Sequence, residues 1–221
     1  MRALVIGASG GIGAALTAAL RNRGARVDTL SRSGDGFDVT DEAGVAAALA
    51  PLPEGAFEMV LIATGALEID GAGPEKTLRA LSPEAFLAQV RLNALGPALV
   101  LKHALRLIPR DRRAVMAALS ARVGSIGDNG FGGWYSYRAS KAALNQLVRT
   151  AAIEIARSHP AAVVAALHPG TVVSPLTRKY LGRHPAVEPA IAAARLLDVI
   201  DGLAPADTGG FFDHAGKRVP W

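Results

Sequence analysis

Apolar positions along this chain fall into two kinds of run. Residues 2–7 (RALVIG), 25–31 (ARVDTLS), 58–64 (EMVLIAT), 113–120 (RAVMAALS) and 161–168 (AAVVAALH) are short and nearly continuously apolar. A strand with one wet face alternates apolar and polar residues, so these runs predict strands covered on both faces, as in a parallel sheet. FDVT (37–40) reads as a very short third strand, and GGFFD (209–213) as a last one. Between them lie Ala-rich stretches with helical spacing. Residues 11–23 place Ile12, Leu16 and Leu20 on one face and meet Gly24 as a stop. DEAGVAAALA (41–50) predicts a short helix, and one long helix is expected from Pro83 to about Leu107. A second long helix, from about Ser136 to Arg157, presents Leu144, Leu147, Val148, Ala151 and Ile155 on one face. A further helix is expected near 187–202.

Repeated strand-helix units give an α/β fold, a doubly wound parallel sheet of Rossmann type, in a single domain over 1–221. The segment TVVSPLTRKYLGRHPAV (171–187) breaks the rhythm and reads as a loop with one short helix, where a substrate lid is expected.

Composition narrows the function classes. Half of the residues are hydrophobic and 19% are charged, which fits a folded globular protein. Only 5% are aromatic, so the core is expected to be mostly Ala, Val, Leu and Ile. With no cysteine there is no disulfide and no thiolate metal site, which suits a reducing cytoplasm. No long apolar segment precedes the first strand, and the apolar runs are too short to predict a membrane span. The net charge is +5, but the arginines are dispersed; Arg110-Asp111-Arg112-Arg113 reads as a solvated loop rather than a nucleic-acid surface. His103, His159, His168, His184 and His214 lack ligand spacing, so no metal site is expected.

The first strand ends in GASGGIGAAL (7–16). Glycines between a strand and an amphipathic helix let the backbone approach a pyrophosphate, which the helix N-terminus attracts. Tight packing alone also accounts for such a turn, but its position after the first strand favours a dinucleotide. NAD sites usually carry an acid about 20 residues beyond the glycines. Here the second strand ends at Ser31-Arg32, with Ser33 next, and Asp28 lies too early; these residues suit a 2′-phosphate, so NADP(H) is expected.

In WYSYRASKAAL (134–144), Tyr137 lies four residues before Lys141 and Tyr135 six. Only the four-residue spacing puts both side chains on one helix face. A phenol titrates near ~10, and a neighbouring ammonium favours its ionised form, so the pair makes a plausible proton donor to a carbonyl that receives hydride.

With these motifs in order (GASGGIG at 7–13, DV at 38–39, LNALGP at 92–97, YRASK at 137–141 and HPGTV at 168–172), the chain resembles the short-chain dehydrogenase/reductase superfamily. The stretch from Gly124 to Asn145 and the ending GGFFDHAGKRVPW are most similar to its sniffer/C-factor group of carbonyl reductases. The resemblance implies that Tyr137 is the general acid/base, that Lys141 binds the nicotinamide ribose and lowers the Tyr137 pKa, and that Asn93 helps hold a proton-relaying water. It implies cofactor contacts from Gly7, Ser9, Gly11, Ile12, Gly13, Ser31, Arg32, Asp38, Val39, Gly65, Pro169, Gly170 and Val172. It also implies a small carbonyl or alcohol substrate and a homodimer or homotetramer packed through the helices at 84–107 and 136–157.

Two positions depart from the family pattern. Ile62-Ala63-Thr64-Gly65 stands where N-A-G is common, keeping the glycine but not the asparagine. The serine motif S-S-x-x-G reads Ser120-Ala121-Arg122-Val123-Gly124, so Ala121 takes the catalytic place. Ser120 is the closest match, Ser125 is further along, and a structural role for both stands nearly level. Phe131, Trp134 and Tyr135 either line a pocket or pack. The alternative to an oxidoreductase is a non-catalytic nucleotide-binding regulator on the same fold.

Overall fold

The computed structural model describes residues 1–174, 177–181 and 186–221. Its frame is one all-parallel sheet of β1 (Arg2–Ile6), β2 (Arg26–Leu30), β3 (Met59–Ile62), β4 (Ala114–Leu119), β5 (Ala162–His168) and β6 (Phe211–Asp213), in the order β2-β1-β3-β4-β5-β6. The helices are α1 (Gly11–Asn22), α2 (Arg32–Asp35), α3 (Glu42–Leu49), α4 (Pro83–Val90), α5 (Gly96–Ala104), α6 (Tyr135–Ile155) and α7 (Pro189–Gly202).

Alternate residues of each strand feed two separate cores, which is why the strands are apolar throughout. Leu4, Ile6, Val60 and Ile62 pack on the side of α3, α5 and α6. Ala3, Val5, Met59 and Leu61 pack on the side of α1 and α7, against Leu16, Leu20, Leu196 and Leu197. The chain begins mid-sheet, steps out to β2 and then crosses back to β3. Strand order therefore reverses beside β1, and the crevice at the carboxyl ends of β1 and β3 is where such sheets bind ligands.

Local signals end the elements as the sequence predicts. Gly24 adopts φ 78°, and the N–H groups of Gly24 and Ala25 close the end of α1 on the carbonyls of Arg21 and Leu20. Ser82 caps α4 by accepting the Ala85 N–H, with Pro83 in the first turn.

Two expectations need correction. Residues 37–40 form no strand. Phe37 and Val39 do point into the core, but the Asp38 carboxylate accepts the Thr40 N–H and hydroxyl, both at 2.8 Å, and curls the segment into a turn beside the sheet. The helix expected from Pro83 to Leu107 is interrupted by a π-helical turn, Arg91–Leu95, between α4 and α5. Pro97 lacks an N–H, and its ring opposes the carbonyl four residues back, so the turn widens at Asn93. Of the segment 171–187, the described part holds a 3₁₀ turn (Arg178–Tyr180) and a bridge between Val172 and Val187; residues 175–176 and 182–185 lie outside the described residues.

Candidate active site

The glycine turn is built by close backbone approach. Gly7 has φ 88°, and a Cβ on it would stand 2.7 Å from the Ala63 carbonyl oxygen. A Cβ on Gly13 would stand 2.1 Å from the Gly7 carbonyl oxygen. Neither position accommodates a side chain, so the first turn of α1 is locked against the end of β1. No side chain caps α1, whose N-cap is Gly10, and Ser9 and Gly10 are exposed. Its first N–H groups therefore face the crevice, with the positive end of the helix dipole behind them. Gly11 and Ile12 are half-buried in the same turn.

At the end of β2, the Ser31 hydroxyl accepts the Gly34 N–H at 3.1 Å and lies 3.2 Å from the Asp35 carboxylate. That serine is thus occupied in capping α2, while Arg32 is exposed beside it. Asp38 is held below the usual carboxylate range, first by the Thr40 N–H and hydroxyl and then, weakly, by Arg91 and Arg32. Val39 is buried against Gly96, where a Cβ would meet its Cγ2 at 2.8 Å.

Beyond β3, Gly65 has φ 147°, and a Cβ there would lie 2.8 Å from Asn93 Oδ1 and 3.4 Å from Lys141 Nζ. Asn93 is fully buried in the π turn. Its Oδ1 accepts the Ala66 N–H at 2.9 Å, and its Nδ2 donates to Ala66 O at 2.9 Å and to Gln89 Oε1 at 2.5 Å. On the opposite wall Gly170 has φ 78° and abuts His214, Val172 is buried, and Pro169 precedes them after β5.

Tyr137 and Lys141 lie on consecutive turns of α6 and are both buried, at 9% and 3% exposure. Lys141 Nζ donates to the Leu119 carbonyl at 3.0 Å and stands 5.9 Å from the centre of the Tyr137 ring. Burial pushes the phenol up to about 12 and the ammonium down to about 8. For the phenol this is opposite to the direction that the resemblance implies. Each group is desolvated before it can help the other, and the ammonium is turned to a backbone carbonyl.

Ser120 is buried, and its hydroxyl donates to Asn145 Oδ1 at 2.6 Å; Asn145 in turn donates to Gly124 O at 3.3 Å. The Ser125 hydroxyl donates to Pro220 O at 2.5 Å and accepts the Asp128 N–H. Ala121 follows Ser120, half-buried, before the 3₁₀ turn Arg122–Gly124. Trp134 stacks edge-on to Tyr137, with centroids 6.2 Å apart, and to Tyr180 at 5.5 Å, whereas Tyr135 and Phe131 are exposed.

Two features escape sequence reading. Thr64 Oγ1 is buried beside the glycine turn and has no hydrogen-bond partner among the described residues, a polar group in need of one where the N-A-G pattern has its alanine. Its only signal is its place in the Thr64-Gly65 pair. Glu75 is buried against the start of α6, with no signal in the sequence beyond its being a charged residue in a loop. The glycine cradle, the uncapped helix start and the orphaned Thr64 hydroxyl together fit a dinucleotide. Among the described residues no group of three or more His, Asp or Glu is placed to hold a metal ion, and no helix is long and apolar enough to cross a membrane.

The family model for short chain dehydrogenase matches residues 35–183. The chain belongs to this family. A 1-hydroxy-2-glutathionyl-2-methyl-3-butene dehydrogenase of Rhodococcus sp. (strain AD45) is 32% identical over 232 residues, covering 99% of this chain and 98% of that one. The C-signal protein of Myxococcus xanthus is 39% identical over 131 residues, 59% of this chain and 75% of its own, in keeping with a place in the sniffer/C-factor group. A short-chain dehydrogenase/reductase from Burkholderia multivorans, solved with bound NADP, superposes with a TM-score of 0.81 at 26% identity over 100% of this chain and 99% of its own. Against the family's serine and N-A-G patterns, this chain carries Ala121 and Ala63 in place of the serine and the asparagine.

Proposed function

We propose that this short-chain dehydrogenase interconverts a carbonyl and an alcohol, with NADP(H) as the hydride partner and Tyr137 as the proton donor and acceptor. The observation that carries the reading is the burial of Tyr137 and Lys141 on one face of α6, beside Asn93 and Gly65 and at the mouth of the glycine turn. The NADP in the Burkholderia structure and the exposed Arg32 at the end of β2 support the choice of cofactor. The named hydroxy compound of the Rhodococcus relative supports alcohol chemistry.

When bound, NADP(H) supplies or takes up the hydride at the carbonyl carbon. The first turn of α1 and the exposed Ser9–Gly10 backbone receive its phosphates, Arg32 its 2′-phosphate, and the Thr64 hydroxyl gains the partner it lacks. Gly65, Asn93, Pro169, Gly170 and Val172 border the reacting end, while Asp38 and Val39 form the adenine side. In reduction, the Tyr137 hydroxyl gives its proton to the carbonyl oxygen; in oxidation, the phenolate takes it back. A phenol pushed up to about 12 holds its proton at neutral pH, as a donor must, but burial also makes it a weaker acid than a free phenol. The Lys141 ammonium then stabilises the phenolate left behind, and Asn93 orients a relay of protons to Lys141. Ser120 and Ser125 act in structure, so the carbonyl is polarised by Tyr137 with little help. The chain works in the cytoplasm as a homodimer or homotetramer; exposed Leu87, Leu95, Leu147 and Ile153 on and beside the long helices support that packing.

One observation favours the second reading, a nucleotide-binding regulator: the only serine next to Ala121 spends its hydroxyl on Asn145. NADPH consumption with a panel of aldehydes and ketones decides between the two. Turnover establishes the oxidoreductase; tight NADPH binding without any turnover across the panel establishes the regulator.

A further inference from the structure

Among the described residues, Glu75 is the one acidic side chain buried near Tyr137 without a part in the proposed reaction; it is 7% exposed. It sits in the loop after β3. Its carboxylate accepts the backbone N–H of Ser136 at 3.1 Å and also the Ser136 hydroxyl, and its main-chain carbonyl accepts the Trp134 N–H at 2.5 Å. Trp134 and Ser136 flank the first residue of α6, and Tyr137 comes next.

A helix start carries four N–H groups that its own turns leave unpaired. The N-cap residue of α6 is Trp134, and it offers no side-chain cap. The approach to the helix passes through positive φ at Gly132 and Gly133, which glycine adopts freely, and at Trp134, at 55°, where a side chain makes it strained. Such a conformation persists only where the surroundings enforce it. Here Glu75 does so from a different segment, with a negative charge at the positive end of the helix. Burial raises the Glu75 pKa, but hydrogen bonds from Ser136 and from the backbone outweigh it and hold the carboxyl below the usual range.

The same loop is fastened at its other end. Asn93 grips Ala66 through both backbone groups, and Gln89 Nε2 donates to Leu67 O at 2.9 Å. The loop thus spans from the Asn93 and Gly65 side of the site to the first turn of α6. A cavity of about 10 Å³ lies between, lined in part by Gln89, Glu75, Ser136 and Tyr137, with room for about one water.

We propose that Glu75 is a positioning residue for the reaction, capping α6 from the neighbouring loop and so fixing Tyr137 relative to Lys141 and Asn93. The inference rests on Tyr137 being the proton donor. The rest of α6 is anchored separately, by Leu144, Val148, Ala152 and Ile155 in the core. Loss of the cap therefore displaces the first turn and leaves Lys141 and the glycine turn in place.

The test compares Glu75→Ala, Glu75→Gln, Ser136→Ala and Tyr137→Phe in the full chain, measuring kcat with a reducible carbonyl and NADPH affinity by fluorescence. Glu75→Ala is expected to lower kcat about tenfold or more while NADPH affinity stays within about twofold, since ~1 Å of misplacement can cost about 10²-fold. Glu75→Gln should recover most of the loss, because its carboxamide oxygen accepts the Ser136 N–H and its amide donates to the Ser136 hydroxyl. Ser136→Ala, which keeps the N–H, should lose about threefold, or ~0.6 kcal/mol, and reads the contact even if Glu75→Ala does not fold. Parent-like kcat in Glu75→Ala or Ser136→Ala overturns the proposal, as does a loss confined to NADPH affinity or a Glu75→Gln no better than Glu75→Ala. Should Tyr137→Phe keep parent turnover, the proposed function itself fails, whatever Glu75 does; a dead Tyr137→Phe beside a parent-like Glu75→Ala removes only the positioning role.

Discussion

Lys141 directs its ammonium at the backbone carbonyl of Leu119, 3.0 Å away at the end of β4, from a position only 3% exposed to solvent. Burial lowers its pKa from 10.5 to about 8. Between those values the unfolded chain holds a proton that the folded protein has released, so stability rises with pH across that window. Below about 8 the folded protein carries the full cost of the buried charge, on the order of 3 kcal/mol. Lys141→Met is expected to raise the melting temperature of the cofactor-free protein at neutral pH and to remove the rise between about 8 and 10.5. Thermal unfolding across that range, parent against variant, checks it. A rise of equal size in the variant would show that other groups set the slope.

Much of this site could be read from the chain because its determinants are local. The glycine turn is one stretch, Gly7 to Gly13, and Tyr137 and Lys141 are linked by helical spacing alone. The five long apolar strands could be read because both sheet faces are covered. Residues 37–40 misled because Phe37 and Val39 do face the core as strand residues would, but strand pairing depends on a neighbour, and Asp38 turns the chain away. The π turn has one local signal, Pro97 four residues after Asn93. The Glu75 cap had none: it joins residues 61 apart in sequence, and only folding brings them together. The Tyr137 pKa direction was likewise out of reach, because it depends on burial.

Cofactor choice is expected to rest on Arg32 more than on Ser31, whose hydroxyl already serves Gly34 and Asp35. Arg32→Ala should weaken NADPH by about 1.5–3 kcal/mol, the range for hydrogen bonds to charged groups, and leave NADH nearly unchanged. Fluorescence titration of both cofactors measures this. Equal losses for the two would place Arg32 away from the 2′-phosphate.

The two tyrosines of WYSYRASK should separate cleanly. Tyr137→Phe removes the hydroxyl that gives up the proton and should lower kcat by about 10²–10⁴-fold with cofactor affinity kept. Tyr135 is 37% exposed, and Tyr135→Phe should cost little. Similar kcat losses for both would mean that the four-residue spacing does not mark the acid/base group.

The place of the missing serine sets the last expectation. A donor that meets charge developing on a carbonyl oxygen is typically worth about 10²–10³ in kcat, because it acts mainly in the transition state. In this chain Ala121 brings no hydroxyl, Ser120 donates to Asn145, and Ser125 donates to Pro220 near the C-terminus. Neither serine has a second proton to offer, so neither can polarise a carbonyl without breaking a buried hydrogen bond. Ser120→Ala and Ser125→Ala should therefore lower stability, by about 1 kcal/mol or more each and seen as a lower melting temperature, and change kcat by less than about threefold. Ala121→Ser should raise kcat, since the new hydroxyl follows the end of β4 without displacing either existing contact. Steady-state kinetics and thermal unfolding on the same three variants separate the outcomes. A kcat loss of about tenfold, ~1.4 kcal/mol, in Ser120→Ala at unchanged NADPH affinity would instead make Ser120 the working donor, released from Asn145 when the carbonyl substrate arrives.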